Sequence, residues 1–319
     1  MINKNIDFHA HPITKIFREN VELLGIDPIY DDGFPLPQWT VEAHRDFMNN
    51  AGINYTVLSV PPPHIHNGDD KKSCEAARKI NIDTAELCKE YPNEFGFVAC
   101  VPLPYVDGAV KEAEFAIDEL GALGVKLSTN SNGIYLGDKS FDSFMEVLNE
   151  KKSLAIIHPC RARQRPENVI TGKVAEIYEY PADTTRAVLN MMANRIMTKF
   201  PDIKFVVPHN GSFLPYMLSR FSGVSGILAS LGMMEVIDVQ KEFANLYFDI
   251  AGDPEPVALD MLLMVADDEH IIYGSDFPHS PAKIVLNKKK HFDSNEKYAS
   301  IREKIYCSNA MKLIKQEDF

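Results

Sequence analysis

Asp7-Phe8-His9-Ala10-His11 closes a short apolar run that begins at Ile6. If that run is a β-strand, its side chains alternate between faces, and His9 and His11 project to the same side. Three further apolar runs end the same way: Ile156-Ile157-His158, Val206-Val207-Pro208-His209 and Tyr273-Gly274-Ser275-Asp276. Imidazoles and a carboxylate at four strand ends converge only if the strands are parallel and their C-terminal ends share one face. In a parallel barrel, that face carries the chemistry.

The rest of the chain supports that geometry. Candidate strands lie at Ile6–His9, Tyr55–Val60, Phe95–Val101, Val125–Ser128, Leu154–His158, Lys204–His209, Leu246–Ile250 and His270–Ser275. Amphipathic segments alternate with them at Val41–Ala51, Ser73–Tyr91, Gly108–Leu120, Ser140–Glu150, Thr184–Phe200, from Phe213 past Phe221, Pro256–Ala266 and Asn295–Ile314. Such alternation predicts βαβ units and a parallel sheet, and eight units predict closure into a (β/α)8 TIM barrel; an open doubly wound sheet is the alternative. No glycine-rich dinucleotide fingerprint and no P-loop is present, so neither a nucleotide nor a flavin is expected. No linker divides residues 1–319, and one barrel domain is expected. The longest irregular stretch, Pro12–Gln38, is expected to overhang the barrel mouth, either as a functional lid or as a plain surface loop.

Composition narrows the partners. The formal net charge of the 319 residues is −12, which argues against nucleic acid and against anionic membranes, both of which are bound through basic patches. The one basic run, Lys288-Lys289-Lys290, is short enough to be a solvated surface segment. The five cysteines form no C-x-x-C pair and are odd in number, which favours a reducing cytoplasm over a disulfide framework. No stretch has the length and apolarity of a signal peptide or membrane span.

His9, His11, His158, His209 and Asp276 together fit a catalytic divalent-metal site that leaves a coordination position open for water or substrate. Each is weak evidence alone, since an isolated H-x-H is more often incidental and an Asp before Phe-Pro can simply cap a turn. A second H-x-H, His64-Ile65-His66, follows strand two but is separated from it by three prolines, which places it in a solvated loop near the mouth.

The pattern Asp7-x-His9-x-His11, His158-Pro159, His209-x-Gly211 and Gly274-Ser275-Asp276-x-Pro278 resembles the amidohydrolase superfamily. More narrowly, it resembles the branch holding aminocarboxymuconate-semialdehyde, resorcylate, carboxyvanillate and methylsalicylate decarboxylases. The likeness runs nearly the whole chain. It includes Ala51-Gly52-Ile53, Leu58-Ser59, Tyr135-Leu136-Gly137-Asp138 and Pro181-x-Asp183-Thr184-Thr185-Arg186. The resemblance implies one divalent ion, zinc first and manganese second, on His9, His11, His158 and Asp276, with His209 beside it as acid/base or orienting group. Lys126 stands where other branches carry a metal-bridging carboxylated lysine; this branch uses a single metal, so Lys126 is expected to be structural. Asn210 departs from the Gly-Gly that usually follows His209.

The implied reaction is non-oxidative decarboxylation of a small aromatic or unsaturated acid, with Asp276 as proton donor supported by His209. Arg161 is expected either to pair with an anionic substrate group, because a guanidinium fork matches a carboxylate, or to be a surface arginine of the run Arg161-Ala162-Arg163-Gln164-Arg165. Trp39, Phe34, Tyr135 and the Pro61–His66 loop are expected to shape the pocket. The same ligands would also serve a lactone or amide hydrolase with a metal-activated water, and a metal-stabilised binding protein is a third reading. A homodimer or higher homo-oligomer is implied, with Arg220 reaching the neighbouring subunit's site; an intrachain salt bridge or a solvated helix end is the alternative for Arg220.

Overall fold

A computed structural model of the chain describes residues 4–29, 33, 35–164, 168 and 174–314. Its barrel strands are β1 (Ile6–Ala10), β2 (Tyr55–Leu58), β3 (Phe95–Cys100), β4 (Gly124–Ser128), β5 (Leu154–His158), β6 (Lys204–Val207), β7 (Leu246–Asp249) and β8 (Ile271–Ile272). They pair in sequence order and in parallel. The ring closes where Phe8 N–H donates to Tyr273 O at 3.0 Å and His11 N–H to Phe277 O at 2.8 Å. Sequential order with closure is the TIM barrel, and the open doubly wound sheet is excluded. Most strand residues are buried on both faces, as expected when helices cover a parallel sheet.

The helices are α1 (Lys15–Leu23), α2 (Val41–Ala51), α3 (Asp70–Glu90), α4 (Val106–Asp118), α5 (Asp142–Glu150), α6 (Glu179–Ala193), α7 (Ile196–Lys199), α8 (Leu214–Ser230), α9 (Val239–Ala244), α10 (Leu259–Leu263) and α11 (Ala282–Ser294). Local chemistry sets several boundaries. Thr40 caps α2 by accepting from Ala43 N–H, and Gly52 ends it in the left-handed conformation at φ 65°. Side chains from almost every strand, among them Ile6, Phe8, Val57, Val98, Ile156, Val206 and Ile272, meet in one cluster closed off by Ala310 and Ile314. A larger apolar layer, including Phe97, Val125, Ile157, Phe205 and Phe248, joins the strands to the helices.

Four segments differ from the sequence expectation. Pro12–Gln38 is not irregular throughout: α1 forms within it, capped by Thr14, and buries Phe17 and Val21 on the i, i+4 spacing of one helix face. The segment Thr184–Phe200 is two helices, α6 and α7, split where Arg195 takes φ 56°. Pro256–Ala266 shortens to α10, preceded by a wider turn at Pro254–Ala258. The last long helix is α11, not Asn295–Ile314; the latter breaks into short turns that bury Tyr298, Ile305, Tyr306 and Ala310. Phe34 lies outside the described residues.

Candidate metal centre and active site

The strand ends do converge. The ring centroids of His9, His11 and His158 stand 4.9–5.1 Å apart. Asp276 Oδ1 lies 3.5 Å from His9 Nε2 and 3.3 Å from His11 Nε2. One ligand atom from each of the four residues falls within 4.8 Å of the others. His9 and His11 arrive on the same side although the register of β1 slips between Asp7 and Ala10.

The Nδ1 atoms are committed elsewhere. His9 Nδ1 meets Asp249 Oδ2 at 2.9 Å, His11 Nδ1 meets Ser59 O at 2.8 Å, and His158 Nδ1 meets Pro159 O at 2.8 Å. This fixes each ring and turns its Nε2 toward the cluster, the arrangement metal-ligating histidines adopt. Close as Asp276 Oδ1 is, Nε2 of His9 and of His11 are buried without an aligned hydrogen-bond partner among the described residues, a costly state unless something else coordinates them. Burial alone would push the His9 imidazole down, but Asp249, Asp276 and Asp7 outweigh it and raise it to about 9. The site therefore favours positive charge at its centre. Burial, then the proximity of His11, holds His158 well below its usual value, and burial also lowers His11. The donor set fits a divalent cation.

Around this cluster stand residues that the strand-end pattern partly missed. Asp249 ends β7; it also accepts from His209 N–H at 3.1 Å and Ala251 N–H at 3.0 Å. Against the cost of burial, His9 keeps its carboxyl below the usual range. Asp7 Oδ1 accepts from His9 N–H and Ser275 N–H, both at 3.0 Å, and burial raises its carboxyl to about 7. The His209 ring lies 4.9 Å from that of His9, and burial, aided by His9, lowers it to about 4. His279, three residues past Asp276, sets its ring perpendicular to His11 at 5.2 Å.

The backbone is strained at this point. His209, Asn210, Ser212 and Asp276 all have φ between 55° and 61°, a left-handed region that non-glycine residues seldom occupy away from functional sites. Asn210, where Gly is usual, is a residue type that enters this region more readily than most, and its side chain is anchored at long range, Nδ2 donating to Ala251 O at 3.2 Å. For Asp276 burial alone would raise the carboxyl, but His11, His9 and His209 hold it below the ordinary carboxylate range, so the resting group is ionised.

A cavity of about 380 Å³ opens over the cluster, lined by His158, His209, Asp276 and His279 with Pro62, Tyr180 and Phe213 as its less polar wall. The residues expected to bind substrate are not all here. Arg161 lines a neighbouring cavity of about 670 Å³ with His64, His66 and Arg163. Trp39 Nε1 donates to His44 Nδ1 at 3.0 Å, and the Tyr135 hydroxyl donates to Asp183; neither lines the cluster cavity among the described residues. Arg220 is exposed on α8.

His64 and His66 are folded in rather than solvated. The Ser128 hydroxyl meets His64 Nδ1 at 3.0 Å, and His66 Nδ1 meets Asn132 Nδ2 at 3.1 Å. Lys126 is buried and donates to Ser128 Oγ at 2.9 Å. No helix among the described residues is long and apolar enough to cross a membrane.

A family model described as amidohydrolase matches residues 6–315. The chain is similar to 6-methylsalicylic acid decarboxylase of Penicillium expansum, at 29% identity over 97% of this chain and 95% of the relative. A crystal structure described as an amidohydrolase II superposes with TM-score 0.89 at 30% identity, covering 97% of this chain and 99% of the other. A 5-carboxyvanillate decarboxylase from Novosphingobium aromaticivorans, complexed with manganese and a nitrobenzoic acid, superposes with TM-score 0.83 at 18% identity, over 98% and 96% of the two chains. With the match extending over almost its full length, the chain belongs to the amidohydrolase family.

Proposed function

We propose that the chain is a metal-dependent decarboxylase that removes CO2 from a small aromatic carboxylic acid without an oxidant. The observation that carries this reading is the buried donor cluster at the floor of the cavity, with its orphaned Nε2 atoms. His9, His11, His158 and Asp276 would hold one divalent ion. Three imidazoles and one carboxylate suit zinc; manganese, present in the carboxyvanillate decarboxylase structure, is the second candidate. The ion would supply Lewis acidity to a substrate carboxylate and a neighbouring oxygen.

The chain's own groups do the rest. Pro62, Tyr180 and Phe213 offer a wall for one aromatic ring, and the cavity volume suits a small ligand. Breaking the bond to the carboxylate requires a proton on the ring carbon that bears it. Asp276, ionised at rest, first takes the proton of the substrate's adjacent hydroxyl and then hands it to that carbon. The C–C electron pair returns to the ring as CO2 leaves, and aromaticity is restored. His209, neutral at rest and in the same wall, orients the acid and shares the proton with Asp276.

The active unit is proposed to be a dimer. On α8 and its cap, Tyr216, Arg220, Val224, Ile227 and Leu231 follow one another at four- and three-residue steps along one face, and all are exposed. Phe213, at the head of the same helix, lines the cavity. An apolar stripe beginning at a site mouth supports an interface there, with Arg220 crossing to the partner's cavity. That no disulfide joins the cysteines among the described residues supports a cytoplasmic location.

The test is an anaerobic screen of hydroxybenzoates and unsaturated dicarboxylates, with no nucleotide or flavin added. CO2 release from an ortho-hydroxybenzoate is expected. Hydrolysis of lactones or amides with no CO2 from any acid would contradict the assignment.

A further inference from the structure

Away from the donor cluster, the carboxylate of Asp183 on α6 is fully buried and receives four donors. Thr129 Oγ1 and Asn130 Nδ2, the latter at 3.0 Å, reach Oδ2; the Tyr135 hydroxyl and Arg186 Nη1, the latter at 2.7 Å, reach Oδ1. The two oxygens serve two directions. Oδ2 binds the residues that immediately follow β4, whereas Oδ1 binds Tyr135 and α6 itself.

The Oδ2 arm continues to a predicted metal ligand. Thr129 N–H donates to His158 O at 3.0 Å, and Thr129 Oγ1 accepts from Cys160 N–H at 3.2 Å. Asn130 Nδ2 also reaches Arg161 O at 3.3 Å, and Cys160 Sγ donates to Asn130 O at 3.1 Å. The same segment supplies Pro159 O, the acceptor that orients the His158 ring. On the other side, Tyr180 and Pro181, three and two residues before Asp183 on α6, line the cavity, and the Tyr180 ring lies 6.3 Å from that of His158. A buried carboxylate is tolerable only while its donors stay in place, so this one ties both walls together.

We propose that Asp183 is a positioning residue that locks the His158–Arg161 segment and the first turn of α6 into one register. It thereby sets the orientation of His158 and the place of Tyr180 in the cavity wall. The inference rests on the reading of His158 as a metal ligand.

Cobalt(II) loaded into chelator-stripped protein reports ligand orientation through its visible absorption, independently of turnover. Asp183→Asn is expected to shift that spectrum, to release cobalt to a chelator about 10-fold faster, and to raise KM more than it lowers kcat. Thr129→Val removes the Oγ1 bridge between Asp183 Oδ2 and Cys160 N–H, leaves the Oδ1 side untouched, and is expected to shift the spectrum in the same direction. Arg186→Met removes the α6-side partner and is expected to lower Tm with the wild-type spectrum. A destabilised Asp183→Asn protein with wild-type spectrum, chelator rate and KM would overturn the proposal, as would an equal spectral shift in Arg186→Met. If Asp183→Asn does not fold, Thr129→Val decides by the same readouts. Wild-type protein that takes up no cobalt would overturn the metal reading, and this proposal with it.

Discussion

His9 and Asp249 form a buried pair, with Nδ1 and Oδ2 2.9 Å apart and neither side chain open to solvent. Asp249 thereby settles which ring nitrogen faces the cluster and makes it a better electron donor. The Asp249→Asn variant keeps an acceptor for the amides of His209 and Ala251 but loses the charge. It is expected to bind its metal about 10-fold more weakly or worse, measured by competition with a chromophoric chelator. Wild-type affinity would leave Asp249 as a backbone anchor only.

His209 shares the cavity wall with Asp276 but contributes no atom to the four-donor group. Asparagine tolerates its φ of 56°, so His209→Asn removes the imidazole with little backbone cost. Metal content is expected to stay at the wild-type value while kcat falls about 100-fold, the usual scale for lost acid/base help. Loss of the metal instead would make His209 a ligand.

Gly274 leaves room for the cluster. A Cβ there would sit 2.7 Å from His9 Cβ and 3.1 Å from Asp249 Cβ. Gly274→Ala is therefore expected to cost about 1–3 kcal/mol through overpacking and to push His9 out of place. Thermal unfolding and elemental analysis together check this; unchanged Tm with full metal would show that the barrel yields there.

Arg220 and Asp276 can be separated genetically. Arg220→Ala chains and Asp276→Asn chains are each expected to be inactive, whereas a mixture allowed to exchange subunits should regain activity, because one site per heterodimer then holds both intact groups. No recovery after demonstrated exchange would confine Arg220 to its own chain.

Because strand ends in a parallel barrel share a face, pattern alone brought out His9, His11, His158, His209 and Asp276; that His209 stands beside the four donors came only from the family resemblance. Asp249 obeys the same rule, at the end of Leu246-Tyr247-Phe248, and counting carboxylates at every strand end would have found it. His279 carries no such signal, since it sits in the turn after Asp276 and is brought in only by the fold. His64-Ile65-His66 reads as solvated, yet His64 is drawn inward by Ser128, a contact 64 residues away that local sequence cannot report. Arg161 follows His158 closely, but the bonds of Asn130 and Cys160 turn its segment toward the neighbouring cavity. In α11 only Val285 and Phe292 are buried, too sparse a pattern to outweigh the run of lysines, so the helix was hidden.

The most direct test of a metal-dependent decarboxylase is a titration of chelator-stripped protein with zinc or manganese. The rate of labelled CO2 release from a carboxyl-labelled ortho-hydroxybenzoate is followed under anaerobic conditions. The rate is expected to be near zero at the start, to rise in proportion to added metal, and to level off at about one ion per chain, as a single four-donor site requires. Full activity in the stripped protein, or a rate indifferent to added metal, would contradict the account.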